Sequence, residues 1–294
     1  SGRIFKIAKL IKGLDNNVSK ATAVKNPTTG ALIVDKDQIK KTTVQYCKEV
    51  LTKNKPKEGY QNLAKFKEAL HNTRMNENIG QGFMAKKEVF DQIVEKFRTN
   101  NKRNYDFLVK SSKEFQESIF KLCKRIIEEE TIPKKFRHTT LHQVWKKKPG
   151  TRKEDLEANR FIHCKEWLPR AVESMVVAVM EHDIAAATSI YQIGGVAGHR
   201  PQEHLFCLKS MQAKYERDKK LFILYPHDAA KFFDKEVLVD CMDELYRANV
   251  DARAYRLFFR LNQNTRIRVR TGCGLTDWEE AGDGLGQGSG GAAK

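Results

Sequence analysis

Four stripes of apolar residues at helical spacing run through the first 130 positions, and they constrain the fold more than any other feature of the chain. Ile39, Thr43, Tyr46, Cys47, Val50 and Leu51 make the first, and Leu63, Phe66 and Leu70 the second. Val89, Phe90, Ile93, Val94 and Phe97 make the third, and Phe115, Ile119, Leu122, Cys123 and Ile126 the fourth. Each recurs every three or four residues, which is the repeat of one helix face. Polar stretches at 53–59 and 80–82 separate them. Residues 1–35 are polar, with turn chemistry around Pro27 and Gly30, so a loosely ordered lead-in is expected there. Residues 1–130 therefore read as a basic helical arm.

After Pro133 the pattern changes. Thr139–Trp145 is β-prone and runs into three lysines and a polar loop. Phe161–Ile162 leads into a long helix over about 168–188, and 191–200 is a glycine-bearing turn. Pro201 suits the first position of a helix whose apolar face is Leu205, Phe206, Leu208 and Met211. The continuous apolar run LFILY at 221–225 reads as a buried strand. Val237, Leu238, Cys241, Met242, Leu245 and Tyr246 mark a further helix, and Tyr255, Leu257, Phe258 and Leu261 another. TRIRVRT at 265–271 alternates strictly, as a half-buried strand does. The expected class is α+β, predominantly helical.

Charge bears on what such a chain binds. The 294 residues carry 54 Lys+Arg against 37 Asp+Glu, a formal net charge of +17, all of the excess lying before residue 226. The sharpest segment is 133–153, with Lys134, Lys135, Arg137, Lys146, Lys147, Lys148, Arg152 and Lys153 and no carboxylate. A solvated helix face normally interleaves both signs, so a one-signed run favours a polyanion. No apolar run approaches the roughly 20 residues of a membrane helix. The six cysteines contain no CxxC pair, and no signal-peptide pattern opens the chain. An intracellular protein of cytoplasm or nucleus, with reduced thiols, is expected.

The most informative constellation is LFILYPHDAAKFFD, residues 221–234. An aspartate at a strand end is rigidly held, as two-metal nucleotidyl transfer requires. Asp228 fits that description, or it starts a turn; Asp234 fits a helix N-cap. His199, His204 and Cys207 lack a fourth ligand at zinc spacing and read better as residues flanking a helix start. His138 and His142 fall within the basic segment and suit contact with phosphate or water.

From Pro133 onward the chain resembles reverse transcriptases of the non-LTR (LINE-like) retrotransposon class, and more distantly those of group II introns. IPKKF with Lys146–Lys148 is similar to the start of the fingers. NRFIHCKEWLPRAVE (159–173) and YQIGGVAGHRPQEHLF (191–206) resemble the two blocks that follow. YPHDAAKFFD (225–234) resembles the first palm motif, and GLGQGS (284–289) the next one. The five occur in order over about 160 residues.

This resemblance implies a helical arm over 1–130, polymerase fingers over 131–220, and a partial, antiparallel palm sheet over 221–294. It implies Asp228 as catalytic residue and Mg²⁺ ligand, and Phe233 as the aromatic that crowds a ribose 2′-hydroxyl. Arg160 and a lysine of the triplet, such as Lys148, would grip the incoming triphosphate, while Gln287 and Gly288 would line the nucleotide pocket. Lys134, Lys135, Arg137, Lys146, Lys147, Arg152, Lys153 and Arg200 would bind nucleic acid. The implied partners are an RNA template, a DNA primer and a dNTP. The later aromatic-x-Asp-Asp sequence of these enzymes does not occur here, so the polypeptide is expected to be incomplete as a polymerase. A non-catalytic RNA-binding module and an inactive element remnant stand beside the enzyme reading.

Overall fold

The computed structural model describes residues 22–52, 61–76, 84–99, 106–192, 194, 198–227 and 237–281. It is a mixed α+β fold, mostly helical, with a small mixed sheet. The chain opens with strands β1 (Val24–Lys25) and β2 (Leu32–Ile33), paired antiparallel. The turn between them is held by Asn26, whose Oδ1 accepts from the N–H groups of Thr28 and Thr29, and closes at Gly30 with φ +70°. Only a residue without a Cβ adopts that angle freely. The loosely ordered lead-in is thus corrected for 22–35: this stretch is an ordered hairpin, and Val24 is fully packed.

All four predicted N-terminal helices form: α1 (Lys36–Thr52), α2 (Gln61–Asn76), α3 (Lys87–Thr99) and, after the short α4 (Asp106–Lys110), α5 (Lys113–Glu128). On α1 and α3 the buried face is the predicted one. On α2, Phe66 is exposed and His71 is buried instead, its Nδ1 2.8 Å from the Tyr255 hydroxyl. On α5 the buried stripe is rotated: Phe120, Cys123, Ile126 and Ile127 point inward while Phe115 and Leu122 face out.

A 3₁₀ turn (Lys134–Arg137) feeds β3 (His138–Trp145), which returns as β4 (Asn159–Lys165) and continues into α6 (Trp167–Ala187). Pro201 opens α7 (Pro201–Arg217), as expected. Then come α8 (Leu238–Arg247), α9 (Ala252–Asn262), β5 (Arg266–Thr271), β6 (Gly274–Leu275) and β7 (Glu279–Glu280). The strand order is β4-β3-β5-β6, with β7 also on β5. β3 and β5 run parallel, in register from His138↔Arg266 to His142↔Arg270, and the other pairings are antiparallel. The sheet is therefore mixed: the strands within 221–294 pair antiparallel with one another, and β5 is joined in parallel to β3 of the preceding region.

The segment 221–225 corrects the sequence reading more sharply. It pairs with no strand among the described residues, and Leu221, Ile223 and Tyr225 are each more than three-quarters exposed. An apolar run becomes a strand only where a partner satisfies its N–H and C=O groups, and the helix before it is not buried either. No residue of α7 is buried, so its predicted core face of Leu205, Phe206, Leu208 and Met211 lies open.

Two cores hold the fold. Phe90 and Phe97 of α3 and Phe120 and Ile127 of α5 pack with Met175 and Met180 of α6, Met242 of α8 and Leu257 and Leu261 of α9. This core runs through helices on both sides of residue 130. The second joins Ile39, Tyr46, Cys47 and Leu51 of α1 to Leu141, Ile267 and Val269 of the sheet.

Charge ties the first core together. α5 ends in a Schellman motif, the Thr131 N–H donating to Ile126 O, and Glu130 takes the left-handed position (φ +50°) that glycine usually occupies. Its carboxylate accepts from Arg256 (Nε, 2.8 Å) and Arg260 (3.2 Å) and lies 3.6 Å from Arg253 Nε, all on α9. Hydrogen bonds and charge from these arginines hold the Glu130 carboxyl below its usual range, against the opposing effect of burial. Glu130→Gln leaves three arginines facing a neutral group, and an expected loss of about 2–4 kcal/mol is measurable by urea unfolding. Glu130→Gly, which relieves the backbone, is expected to lose stability too.

His163 is buried on the α1 side of β4, and burial pushes its pKa down to about 3, helped by Lys165. The unfolded chain binds this proton near 6.5 and the folded one does not, so stability falls as pH drops from about 6.5 towards 3. The expected slope is roughly 1.4 kcal/mol per pH unit for one proton. Thermal melts across this range check it, and His163→Leu is expected to flatten the slope.

Candidate nucleic-acid interface

The β3–β4 hairpin carries most of the predicted site residues, and its register determines where each one stands. Seven pairs run from Thr139↔Lys165 to Trp145↔Asn159, and beyond them the Lys146 N–H donates to Ala158 O at 2.9 Å. Lys146, Lys147, Lys148, Arg152 and Lys153 therefore occupy the hairpin tip. Lys148-Pro149-Gly150-Thr151 forms a turn closed by Thr151 N–H to Lys148 O, with Gly150 at φ +75°, the arrangement of a type II turn. A second turn spans Arg152–Asp155, where Asp155 Oδ2 accepts from the Arg152 N–H.

Asn159 fixes this loop from below. It is buried, and its Nδ2 donates to the carbonyls of Lys153 (3.0 Å) and Asp155 (2.7 Å). β1 braces the other side through Lys25 N–H to Glu154 O and a 2.9 Å ion pair from Lys25 to Asp155. Between the β1–β2 turn and the loop lies a pocket of about 480 Å³ whose walls include Lys146 and Lys148, and also Asp155 and Glu157. Arg160 does not line it. It stands on β4 opposite Val144, exposed, with no ion pair among the described residues.

The one-signed run at 133–153 is not one patch. Lys134, Lys135 and Arg137 precede β3, and the lysine triplet follows it, so about eight residues of extended chain, some 26 Å, separate them. Arg200 is elsewhere, at the exposed start of α7, where Glu203 accepts from its N–H. His199 meets Glu203 at 2.9 Å and so flanks the helix start, as expected. Asp228, Phe233, Gln287 and Gly288 lie outside the described residues, as does Asp234. Among the described residues no group of three His, Cys, Asp or Glu side chains is disposed to hold a metal ion.

Sequence reasoning missed what joins the two ends of β3. Alternation buries Ile267, Val269 and Thr271 on the α1 side of β5 and turns Arg266, Arg268 and Arg270 to the opposite face. By register the same face carries His138, Thr140, His142 and Val144 of β3 and Arg160 and Ile162 of β4. Trp278 closes its lower end, with the Arg268 guanidinium 4.5 Å from its ring centre and the His138 ring at 4.6 Å. Burial, then the charges of Arg266, Lys135 and Arg268, lower the pKa of His138; burial and then Arg270 lower that of His142. The signal was present in TRIRVRT, since a half-buried reading already puts its three arginines on one side. The strand it would pair with was not legible.

No protein-family model matches the chain, and no curated protein matches it.

Asn159→Ala leaves the Lys153 and Asp155 carbonyls without their donor. The expected result is a loss of about 1–3 kcal/mol, with faster amide exchange confined to 147–157, read by hydrogen-exchange mass spectrometry.

Proposed function

We propose that this chain is the fingers and first part of the palm of an RNA-directed DNA polymerase of the non-LTR retrotransposon class. The five sequence blocks in order support this reading, as does an α+β fold with a basic hairpin. The observation that carries it is the hairpin tip. One tightly turned loop presents the lysine triplet, and the Lys146–Ala158 hydrogen bond brings Arg160 to the same end. Lys148 and Arg160 have no ion pair among the described residues, so both are available to an incoming polyanion. Two such cations suit the charge-assisted grip of a triphosphate, which also stabilises charge developing on a transferred phosphoryl group. By the resemblance, Asp228 would hold Mg²⁺ and Phe233 would select deoxyribose, with an RNA template and DNA primer as partners.

The test is equilibrium binding of a deoxynucleoside triphosphate with Mg²⁺ to the whole chain. Arg160→Ala and Lys148→Ala are each expected to weaken binding roughly tenfold, the equivalent of about 1.4 kcal/mol, with the circular dichroism of the parent. Unchanged affinity in both variants would overturn the reading.

A further inference from the structure

We propose that the open face of the sheet is a track for one single strand of nucleic acid, with Arg266, Arg268 and Arg270 each holding a successive phosphate. The nature of the ligand rests on the polymerase reading above; the residues and their arrangement come from the sheet.

The first support is spacing. Alternate residues of a strand are about 6.6–6.8 Å apart, comparable to the separation of neighbouring phosphates along an extended polynucleotide. Three arginines on one straight strand make a linear file, which suits an extended single strand. A duplex presents its phosphates on two curving lines.

The second support is the state of the guanidinium groups. Among the described residues none of the three has an ion pair. Arg266 donates to Trp278 O at 3.3 Å and Arg268 to Thr140 Oγ1 at 3.1 Å, both neutral acceptors, and Arg270 has no hydrogen-bond partner there. Each arginine has five N–H donors in a fixed fork, so most of them remain unused. Like charges in a row along one strand repel; Glu280 of β7 stands opposite Arg266 in the ladder, without an ion pair, and no carboxylate in register offsets the charge of Arg268 or Arg270. An external polyanion would.

The third support is what borders the file. Arg270 is level with His142, which pairs with Ile162, and one rung on Val144 pairs with Arg160. The file therefore points towards Arg160 and the hairpin tip, with the half-buried surfaces of His142, Val144 and Ile162 between. At the other end His138 and Trp278 form an aromatic pair beside Lys134 and Lys135. Ring and aliphatic surface next to a cationic file is what unpaired bases require.

Fluorescence anisotropy on the whole chain tests this with labelled oligo-U, oligo-dT and a short duplex at several salt concentrations. The parent is expected to prefer the single strands, and the tighter of the two identifies RNA or DNA as the source. Replacing Arg266, Arg268 and Arg270 with Gln together is expected to weaken single-strand binding at least tenfold and to lower the log–log salt slope by about 2, near 0.7 per lost contact. Arg270→Gln alone removes no hydrogen bond of the described fold and is expected to lower the slope by about 0.7, which keeps the test valid if the triple variant unfolds. Parental affinity and slope in Arg270→Gln and in a folded triple variant, or a preference for duplex, would overturn the proposal. The triphosphate affinity of the same variants separates the two readings. Loss of triphosphate binding in Arg160→Ala, with unchanged strand binding in the β5 variants, would sink the track and leave the polymerase reading standing.

Discussion

The parallel pairing of β3 with β5 is the constraint on which the rest of the arrangement depends. It joins residues 128 positions apart in sequence, with Arg268 bonded across it to Thr140. A parallel pair needs a long crossover, and here that crossover contains β4 and α6 through α9. Of those helices α6, α8 and α9 pack on one another and on α3 and α5 to form the larger core, while α7 stays outside it. Leu141, Ile267 and Val269 are fully buried at the junction. The apolar area they remove from water under α1 is what holds the two strands in register.

Charge is handled in two ways. Toward the interior, cations are matched to carboxylates: Glu130 against three arginines of α9, Arg74 against Asp243 at 2.9 Å, and Lys165 against Glu173 at 3.3 Å with both side chains almost completely enclosed. A buried ion pair adds little net stability, yet losing one partner is costly, so these contacts specify which helices meet. Arg74 adds a stacked contact 3.5 Å from the centre of the Tyr246 ring and locks α2 onto α8. On the open sheet face the opposite holds: Arg160, Arg266, Arg268 and Arg270 have no carboxylate within ion-pair distance among the described residues. That contrast separates cations that build the fold from cations that stay without a carboxylate partner among the described residues.

The helix α7 and the segment after it show the limit of apolar patterning. Leu205, Phe206, Met211, Leu221, Ile223 and Tyr225 are all exposed. Tyr215 and Phe222 pack on each other, with ring centres 5.5 Å apart. The residues have the composition of a core face and of a strand. Burial of such residues depends on a facing surface, and the described fold does not supply one to this part of the chain.

Much of the secondary structure was legible in the sequence, because helical periodicity and strict alternation are local properties. The stripes of α1 and α3, the long α6, the proline-started α7, and the strands of 139–145 and 265–271 all follow from side-chain spacing. The sequence blocks that contain Arg160 and the lysine triplet are local too. Tertiary structure decided everything that needs two distant segments. It rotated the buried face of α5, replaced Phe66 by His71 under α2, and left LFILY without a strand partner. It divided the basic run at 133–153 between the two ends of β3. It also set the arginines of β5 beside the hairpin, because strand pairing is a long-range hydrogen-bonding choice that no local pattern encodes. Side-chain spacing fixes which face a residue takes, and only the partner strand decides what that face confronts.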